Sequence, residues 1–136
     1  MKTTILTIAA AVALASPAFA SGDAAKGESD FKKCKACHMI VADDGTEIQK
    51  GGKTGPNLYG VVGRAAGSTD FKYSEVMKEA GEKGLVWSEE NLAEYLPDPS
   101  EFLEEFSGDE AGKSKMTFKL TKGAEDMAAY LASLAQ

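Results

Sequence analysis

The fold of this 136-residue chain is decided by one stretch, Cys34-Lys35-Ala36-Cys37-His38. Two cysteines separated by two residues and followed by a histidine are typical of covalent attachment of a c-type haem. Thiols at this spacing can bond to the vinyl groups on one edge of a porphyrin, and the adjacent imidazole then ligates the iron. The chain has two cysteines and one histidine, so the motif uses all three. The sequence predicts one haem c, covalently bound through Cys34 and Cys37, with His38 as an iron ligand.

Other uses of a C-x-x-C motif fit this chain less well. A structural disulfide or a thioredoxin-like redox pair has the same cysteine spacing. A thioredoxin-like site follows a strand in a βαβ unit, and no such pattern precedes Cys34. A tetrahedral zinc site needs a fourth good ligand, and the sequence has no further cysteine or histidine. Haem attachment is therefore the favoured interpretation.

The N-terminus has the features of a secretory signal peptide. Lys2 supplies the positive charge, residues 5–15 are apolar, and Ala18-Phe19-Ala20 is a small-x-small cleavage site. The alternative, an uncleaved anchor, is disfavoured because the apolar run is short and rich in alanine. We expect residues 1–20 to be cleaved and residues 21–136 to form a single domain in the periplasm, since haem is attached to cysteines outside the cytoplasm.

The charge balance limits the choice of partner. The chain has 15 basic and 21 acidic side chains, and removal of Lys2 with the signal makes the net charge more negative than −6. Haem propionates would add further negative charge. Nucleic acid is therefore excluded as the expected partner.

Hydrophobic periodicity and capping residues predict an all-α domain of short helices joined by glycine-rich loops. The segment from Met39 to Gly63 contains six glycines and is predicted to be a loop, with no period-two strand pattern. A haem would supply the apolar body around which such short helices condense, so loss of haem should cost much of the fold. The expected helices are about 24–37 after an Asp23 cap, 74–83, 89–96 after a Ser88 cap, 99–106 after an Asp98 cap, and 122–135 after a Thr121 cap.

The second axial ligand is expected to be a methionine, because no second histidine exists and thioether sulfur binds haem iron. Met116 is preferred, since it lies in a polar loop that can cross to the second face of the haem. Helical methionines are more often core filler. The weaker alternatives are Met39, next to His38, and Met77 and Met127, on predicted helices.

Several further residues fit the surroundings of a haem. The Pro56 carbonyl lies in a rigid Gly-Pro-Asn segment and could accept a hydrogen bond from His38. Trp87, Arg64 and Tyr73 could each donate to a haem propionate. By their residue types alone, a core tryptophan, a solvated arginine and a packed tyrosine are equally good interpretations.

The chain resembles class I cytochromes c, and most closely the larger bacterial cytochromes c2. The resemblance covers nearly all of residues 21–136 and implies a haem wrapped by short helices, with the first and last helices crossing. Gly27, Phe31, Met127 and Tyr130 match the crossing positions. The motifs that carry it occur in the family's order: Cys34–His38, Thr54-Gly-Pro-Asn-Leu-Tyr-Gly-Val-Val-Gly-Arg64, Trp87 and Lys115-Met-Thr-Phe118.

The same resemblance implies roles for individual residues. His38 and Met116 would ligate the iron, with the Pro56 carbonyl accepting from His38. The matching residues around the haem are Arg64, Tyr73 and Trp87 on the propionate side, Tyr95 near the methionine sulfur, and Ser114 by the inner propionate. Two segments are longer than in mitochondrial relatives: the loop between His38 and Pro56, and the acidic stretch before Met116.

The function implied is that of a periplasmic one-electron carrier rather than an enzyme. Cytochrome bc complexes would be its donors, and photosynthetic reaction centres or terminal oxidases its acceptors. We expect a monomer that docks through a basic rim at the haem edge, formed by Lys32, Lys33, Lys35, Lys53, Lys113, Lys115 and Lys119. The rivals are a haem enzyme or gas-binding protein with a labile sixth ligand, and a tethered subunit of a membrane oxidase.

Overall fold

The computed structural model describes residues 22–134, and in that range the prediction of an all-α fold of short helices is confirmed, with one small hairpin added. No helix in residues 22–134 is long and apolar enough to cross a membrane. The elements are α1 (Ala24–Asp30), a 3₁₀ helix (Phe31–Lys33), β1 (Ile40–Val41), β2 (Glu47–Gln49), α2 (Glu75–Glu82), α3 (Glu89–Tyr95), α4 (Pro99–Ser107) and α5 (Ala124–Ser133).

Helix α1 begins as expected but ends early. The Asp23 carboxylate accepts hydrogen bonds from the backbone N–H groups of Ala25 and Lys26 at 3.0 and 3.2 Å. The predicted continuation to Cys37 is wrong, because the helix ends at Asp30 and a 3₁₀ helix follows. The tighter i→i+3 bonding from Phe31 onward turns the chain and re-aims the residues that follow.

Helix α1 packs closely on α5, and Gly27 makes that approach possible. A Cβ at Gly27 would lie 2.7 Å from Cβ of Tyr130. One turn later, the rings of Phe31 and Tyr130 meet edge to face, with centroids 6.0 Å apart. The backbone N–H of Asp23 also donates to a carboxylate oxygen of Asp126 at 2.7 Å. The first and last helices, α1 and α5, therefore pack together on one side of the fold.

The last helix starts later than predicted. Thr121 does not cap it; Gly123 is the N-cap residue of α5, without a side-chain cap. Thr121 is exposed, and the acidic side chains Glu125 and Asp126 lie in the first turn, at the positive end of the helix. The helix ends at Ser133, and the predicted end at residue 135 falls outside the described residues.

The segment predicted as a loop contains a two-stranded antiparallel hairpin, β1–β2. Its turn is closed by Asp44, whose carboxylate accepts from the backbone N–H of Thr46 at 2.9 Å. Ile40 is completely buried. The Asn57 side chain binds both the N–H and the carbonyl of Val41, at 3.0 and 2.8 Å. The burial of Ile40 and the two Asn57 hydrogen bonds stabilise these strands. The strands are too short to be recognised from alternating apolar and polar residues.

The three middle helices start where predicted, with the expected caps at Ser88 and Asp98 and a further cap at Ser74. Ser74 caps α2, Ser88 caps α3 with a full capping box, and Asp98 caps α4 with proline in the first turn. Helix α4 packs on α2, and Leu103 of α4 is fully buried. Lys83 donates to the Ser107 carbonyl at the far end of this pair. The long acidic segment is thus docked on the helical core.

Candidate haem-binding site

A cavity of about 280 Å³ lies between the helices and is lined by every residue that the sequence assigned to the haem. Its other wall residues are mostly apolar, and among them Val61, Phe71, Leu92 and Leu131 were not anticipated. No sequence signal marks such residues, because apolar side chains at these spacings look the same in a core and around a cofactor. The ten anticipated residues are Cys34, Cys37, His38, Pro56, Arg64, Tyr73, Trp87, Tyr95, Ser114 and Met116.

The attachment motif forms one tight turn at the cavity wall. The backbone N–H groups of Cys37 and His38 both bond to the Cys34 carbonyl, at 3.1 and 2.9 Å. Residues four apart in such a turn lie on the same face. Cys34 and His38 therefore reach the same cavity, and Cys37 lines it as well.

The cysteines lack the properties of a redox pair. Both are free thiols, and burial raises the pKa of the Cys34 thiol to about 11. A thioredoxin-like nucleophile needs a lowered pKa. Among residues 22–134 no group of three or more histidine, cysteine or acidic side chains could hold a metal ion, which also disfavours a zinc site.

His38 is held in the orientation that an axial ligand needs. Its Nδ1–H donates to the Pro56 carbonyl at 2.8 Å, and since a carbonyl only accepts, Nε2 carries the free lone pair. The ring is 9% exposed, and burial lowers its pKa, which favours the neutral form that binds metal. A Cβ at Gly55 would lie 2.7 Å from Nδ1, so only glycine lets the backbone pass this close to the His38 ring.

Met116 lies on the same cavity, beneath a buried tyrosine. The Tyr95 hydroxyl donates to Sδ of Met116 at 3.7 Å, and burial raises the pKa of Tyr95 to about 12. Met77 and Met127 also line the cavity, whereas Met39 lines a separate cleft. The tyrosine contact distinguishes Met116 from the two helical methionines.

Polar groups that could bind carboxylates also reach the cavity. The Arg64 guanidinium is half-buried and donates to the Asn57 carbonyl at 3.2–3.3 Å, which leaves part of its donor set unused. The Tyr73 and Thr69 hydroxyls share a hydrogen bond of 2.5 Å. Trp87 is 6% exposed and lines the cavity. An indole N–H that reaches a cofactor cavity can donate to a carboxylate.

These features fit haem c. Thiols and an oriented imidazole lie together, the wall is mostly apolar, a thioether faces the same space, and donor groups of Arg64, Tyr73 and Trp87 line the cavity. The residues that would hold it are Cys34 and Cys37 by thioether bonds, and His38 and Met116 through the iron.

The seven lysines expected at the rim differ in their surroundings. Lys33 and Lys115 line the cavity itself. Three of the seven pair with carboxylates: Lys33 with Asp30 at 3.4 Å, Lys113 with Glu104 at 2.9 Å, and Lys119 with Asp98 at 2.6 Å. In the part of the chain that the structure describes, Lys32, Lys35, Lys53 and Lys115 have no carboxylate partner within 4.0 Å.

Comparison with known proteins supports one family. No family model matches the chain. Cytochrome c2 of Rhodobacter capsulatus is 59% identical over 132 residues, covering 96% of this chain and 95% of that protein. Cytochrome c-551 of Roseobacter denitrificans is 53% identical over 134 residues, covering 98% and 96%. The X-ray structure of ferric cytochrome c-550 from Paracoccus versutus matches with a TM-score of 0.82 and 58% identity, covering 85% of this chain and 99% of that one.

These similarities extend along nearly the whole chain and agree with the cavity, the attachment turn and the crossing of α1 and α5. They confirm the resemblance drawn from the sequence motifs. The chain therefore belongs to the cytochrome c2 family of class I cytochromes c, electron carriers that bind one covalent haem c.

Proposed function

We propose that this chain, after removal of residues 1–20, is a monomeric periplasmic carrier of single electrons and not an enzyme. Its donor is a cytochrome bc complex, and its acceptor a photosynthetic reaction centre or a terminal oxidase. The observation that carries the proposal is that His38 and Met116 line one cavity together with both attachment cysteines. His38 and Met116 would both ligate the iron of a haem bound there, which would leave the iron no open site for a substrate.

The haem supplies a ferrous/ferric couple when bound. The protein residues fix its position and tune its surroundings. Cys34 and Cys37 anchor one edge. The Pro56 carbonyl holds the His38 ring and raises its basicity, because the bonded Nδ1–H gives electron density to the ring.

The remaining site residues act on the other ligand and on the propionates. Tyr95 donates to the Met116 sulfur, and Ser114 accepts from the Met116 backbone N–H. Arg64, Tyr73 and Trp87 line the cavity and would donate to the propionates of a bound haem, since a carboxylate removed from water needs hydrogen-bond partners.

The ligand assignment is tested by absorption spectra of the ferric protein. The wild type should show the weak long-wavelength band of a sulfur–iron bond. Met116→Ala should lose it, whereas Met77→Ala and Met127→Ala, which remove the other methionines of the cavity, should keep it. Survival of the band in Met116→Ala would refute the assignment, because another methionine would then ligate the iron. Absence of the band from the wild type would favour a rival with a labile sixth ligand.

The export proposal has a separate test. Intact mass of the haem-loaded protein purified from a periplasmic fraction should correspond to a chain beginning at Ser21. A mass that includes residues 1–20 would favour a tethered oxidase subunit instead, because the apolar N-terminus would then serve as an anchor.

Docking is proposed to use the cations beside the cavity. Lys115 is exposed, lines the cavity and lacks a carboxylate partner, so its charge is available to an acidic partner surface. Steered association slows as salt screens these charges. Stopped-flow electron transfer should slow with ionic strength, and Lys115→Glu should slow it at low salt more than Lys26→Glu on α1, the matched charge reversal. Equal rates for the two variants would mean that Lys115 does not belong to the docking surface.

A further inference from the structure

We propose that Ser100, in the first turn of α4, is a positioning residue for Met116. The proposal rests on the assignment of Met116 as the second iron ligand. It adds a reason why the ligand loop holds its place, and it gives a role to the long acidic segment that precedes the loop. Ser100 is not among the residues that the family motifs mark.

Two serines connect α4 to the methionine. The backbone N–H of Ser114 donates to Oγ of Ser100 at 3.1 Å. The backbone N–H of Met116 in turn donates to Oγ of Ser114 at 3.1 Å. Ser114 is 7% exposed, so its N–H cannot readily turn to water if the Ser100 hydroxyl is removed. The Met116 backbone is thus held through Ser114 by a hydroxyl on α4.

The same turn of α4 holds the other side of the loop. Asp98 caps the helix through the Glu101 N–H, and its second carboxylate oxygen binds the Lys119 ammonium at 2.6 Å. Next to it, the backbone N–H of Leu120 donates to the Leu96 carbonyl at 2.9 Å. Met116 lies between these two attachments, two residues from Ser114 and three from Lys119.

Helix α4 is a firm base for this clamp. Pro99 is buried beside Ser100, and Leu103, one turn further on, is completely buried. The far end of α4 is tied to Lys83 through the Ser107 carbonyl. The Ser100 hydroxyl therefore has a fixed position relative to the helical core, whereas a hydroxyl within the loop would move together with Met116.

The clamp controls how often Met116 leaves the iron. A small external ligand such as imidazole can bind the iron only in the open form, so its apparent dissociation constant falls as the open fraction rises. Loss of one hydrogen bond made only in the closed form corresponds to about a two- to tenfold change in that fraction. Ser100→Ala should therefore bind imidazole about two- to tenfold more tightly than wild type.

The experiment is an imidazole titration of the ferric, haem-loaded protein, followed in the visible spectrum. Ser100→Thr keeps a hydroxyl acceptor and should restore the wild-type affinity. Ser88→Ala is the matched control, since Ser88 Oγ also accepts one backbone N–H, that of Asn91, at 3.1 Å and does not line the cavity. It should lower thermal stability without changing imidazole affinity.

Two results would overturn the proposal. One is equal imidazole affinity for Ser100→Ala and wild type while the sulfur–iron band is present in both. The other is an equal rise in imidazole affinity for Ser88→Ala, which would mean that any loss of protein stability raises the affinity. Failure of the ligand assignment is recognised separately, because wild type itself would then lack the sulfur–iron band or keep it in Met116→Ala.

Discussion

The contact between α1 and α5 depends on the absence of a side chain at Gly27, and Gly27→Ala tests this. Two effects oppose each other. Alanine favours a helix over glycine by about 0.5–1 kcal/mol, so propensity alone predicts a more stable protein. The added methyl carbon would lie 2.1 Å from the backbone carbonyl oxygen of Asp126 and 2.7 Å from Cβ of Tyr130, whereas carbon atoms in contact prefer about 3.5–4.0 Å. The helices would have to separate by about 1 Å.

That separation cannot be absorbed locally. Phe31 is 0% exposed and Tyr130 is 4% exposed, and their rings meet across the same contact. Overpacking of this kind costs about 1–3 kcal/mol, which exceeds the gain in propensity. We expect Gly27→Ala to lower the free energy of unfolding by about 1–2 kcal/mol and the melting temperature by about 5 °C.

The assay is guanidinium and thermal unfolding of the ferric haem protein, followed by circular dichroism. Glu28→Ala, at an exposed position of α1, is the control and should change stability by less than about 0.5 kcal/mol. The ferric spectrum should not change, because Gly27 does not line the haem cavity. A Gly27→Ala protein as stable as wild type, or more so, would show that propensity decides and that the close approach is not needed.

Three further outcomes are expected from the site. Tyr95→Phe removes the hydrogen bond to the Met116 sulfur. Loss of this bond should favour the ferric state, so the reduction potential should fall by about 20–40 mV in a spectroelectrochemical titration. A rise in potential would contradict this role of the contact. Gly55→Ala should displace the imidazole from the Pro56 carbonyl and raise the potential, because the ring loses basicity; an unchanged potential would mean that the ring adapts. A chain with Cys34→Ala and Cys37→Ala, lacking attached haem, should give no cooperative helical transition in far-UV circular dichroism, and a fully helical apoprotein would contradict this.

Features set by local chemistry were predictable from the sequence. The starts of α2, α3 and α4 were located correctly, and the caps Ser88 and Asp98 were named, since each bonds to an N–H group only three residues away. The start of α5 was missed because Thr121 is a good capping residue by type but lies outside the helix. Residue type alone could not show where the chain turns.

Features set by distant contacts were not predictable. The hairpin has an Asp44-Gly45 turn signal, but its strands of two and three residues are held by Asn57 from outside. The apolar cavity wall, with Phe71 and Leu92, follows from how the helices meet. Cys34, Cys37 and His38 could be named from their motif because the chain has two cysteines and one histidine. The resemblance to the family was needed to name Tyr95 and Ser114, and all of these residues line the cavity.

The pairing of the rim lysines shows that α4 serves two needs at once. Glu104 and Asp98 both belong to α4 or its cap, and they neutralise Lys113 and Lys119 on either side of Met116. Exposed ion pairs add little stability. Their effect on the electric field is larger, because each carboxylate offsets the charge of one lysine on the proposed docking face. The charge left for steering then lies with Lys115 and the unpaired lysines of the attachment segment, which concentrates it beside the cavity. The acidic segment therefore contacts the loop that contains Met116 and, on the docking proposal, leaves the unpaired positive charge beside the cavity.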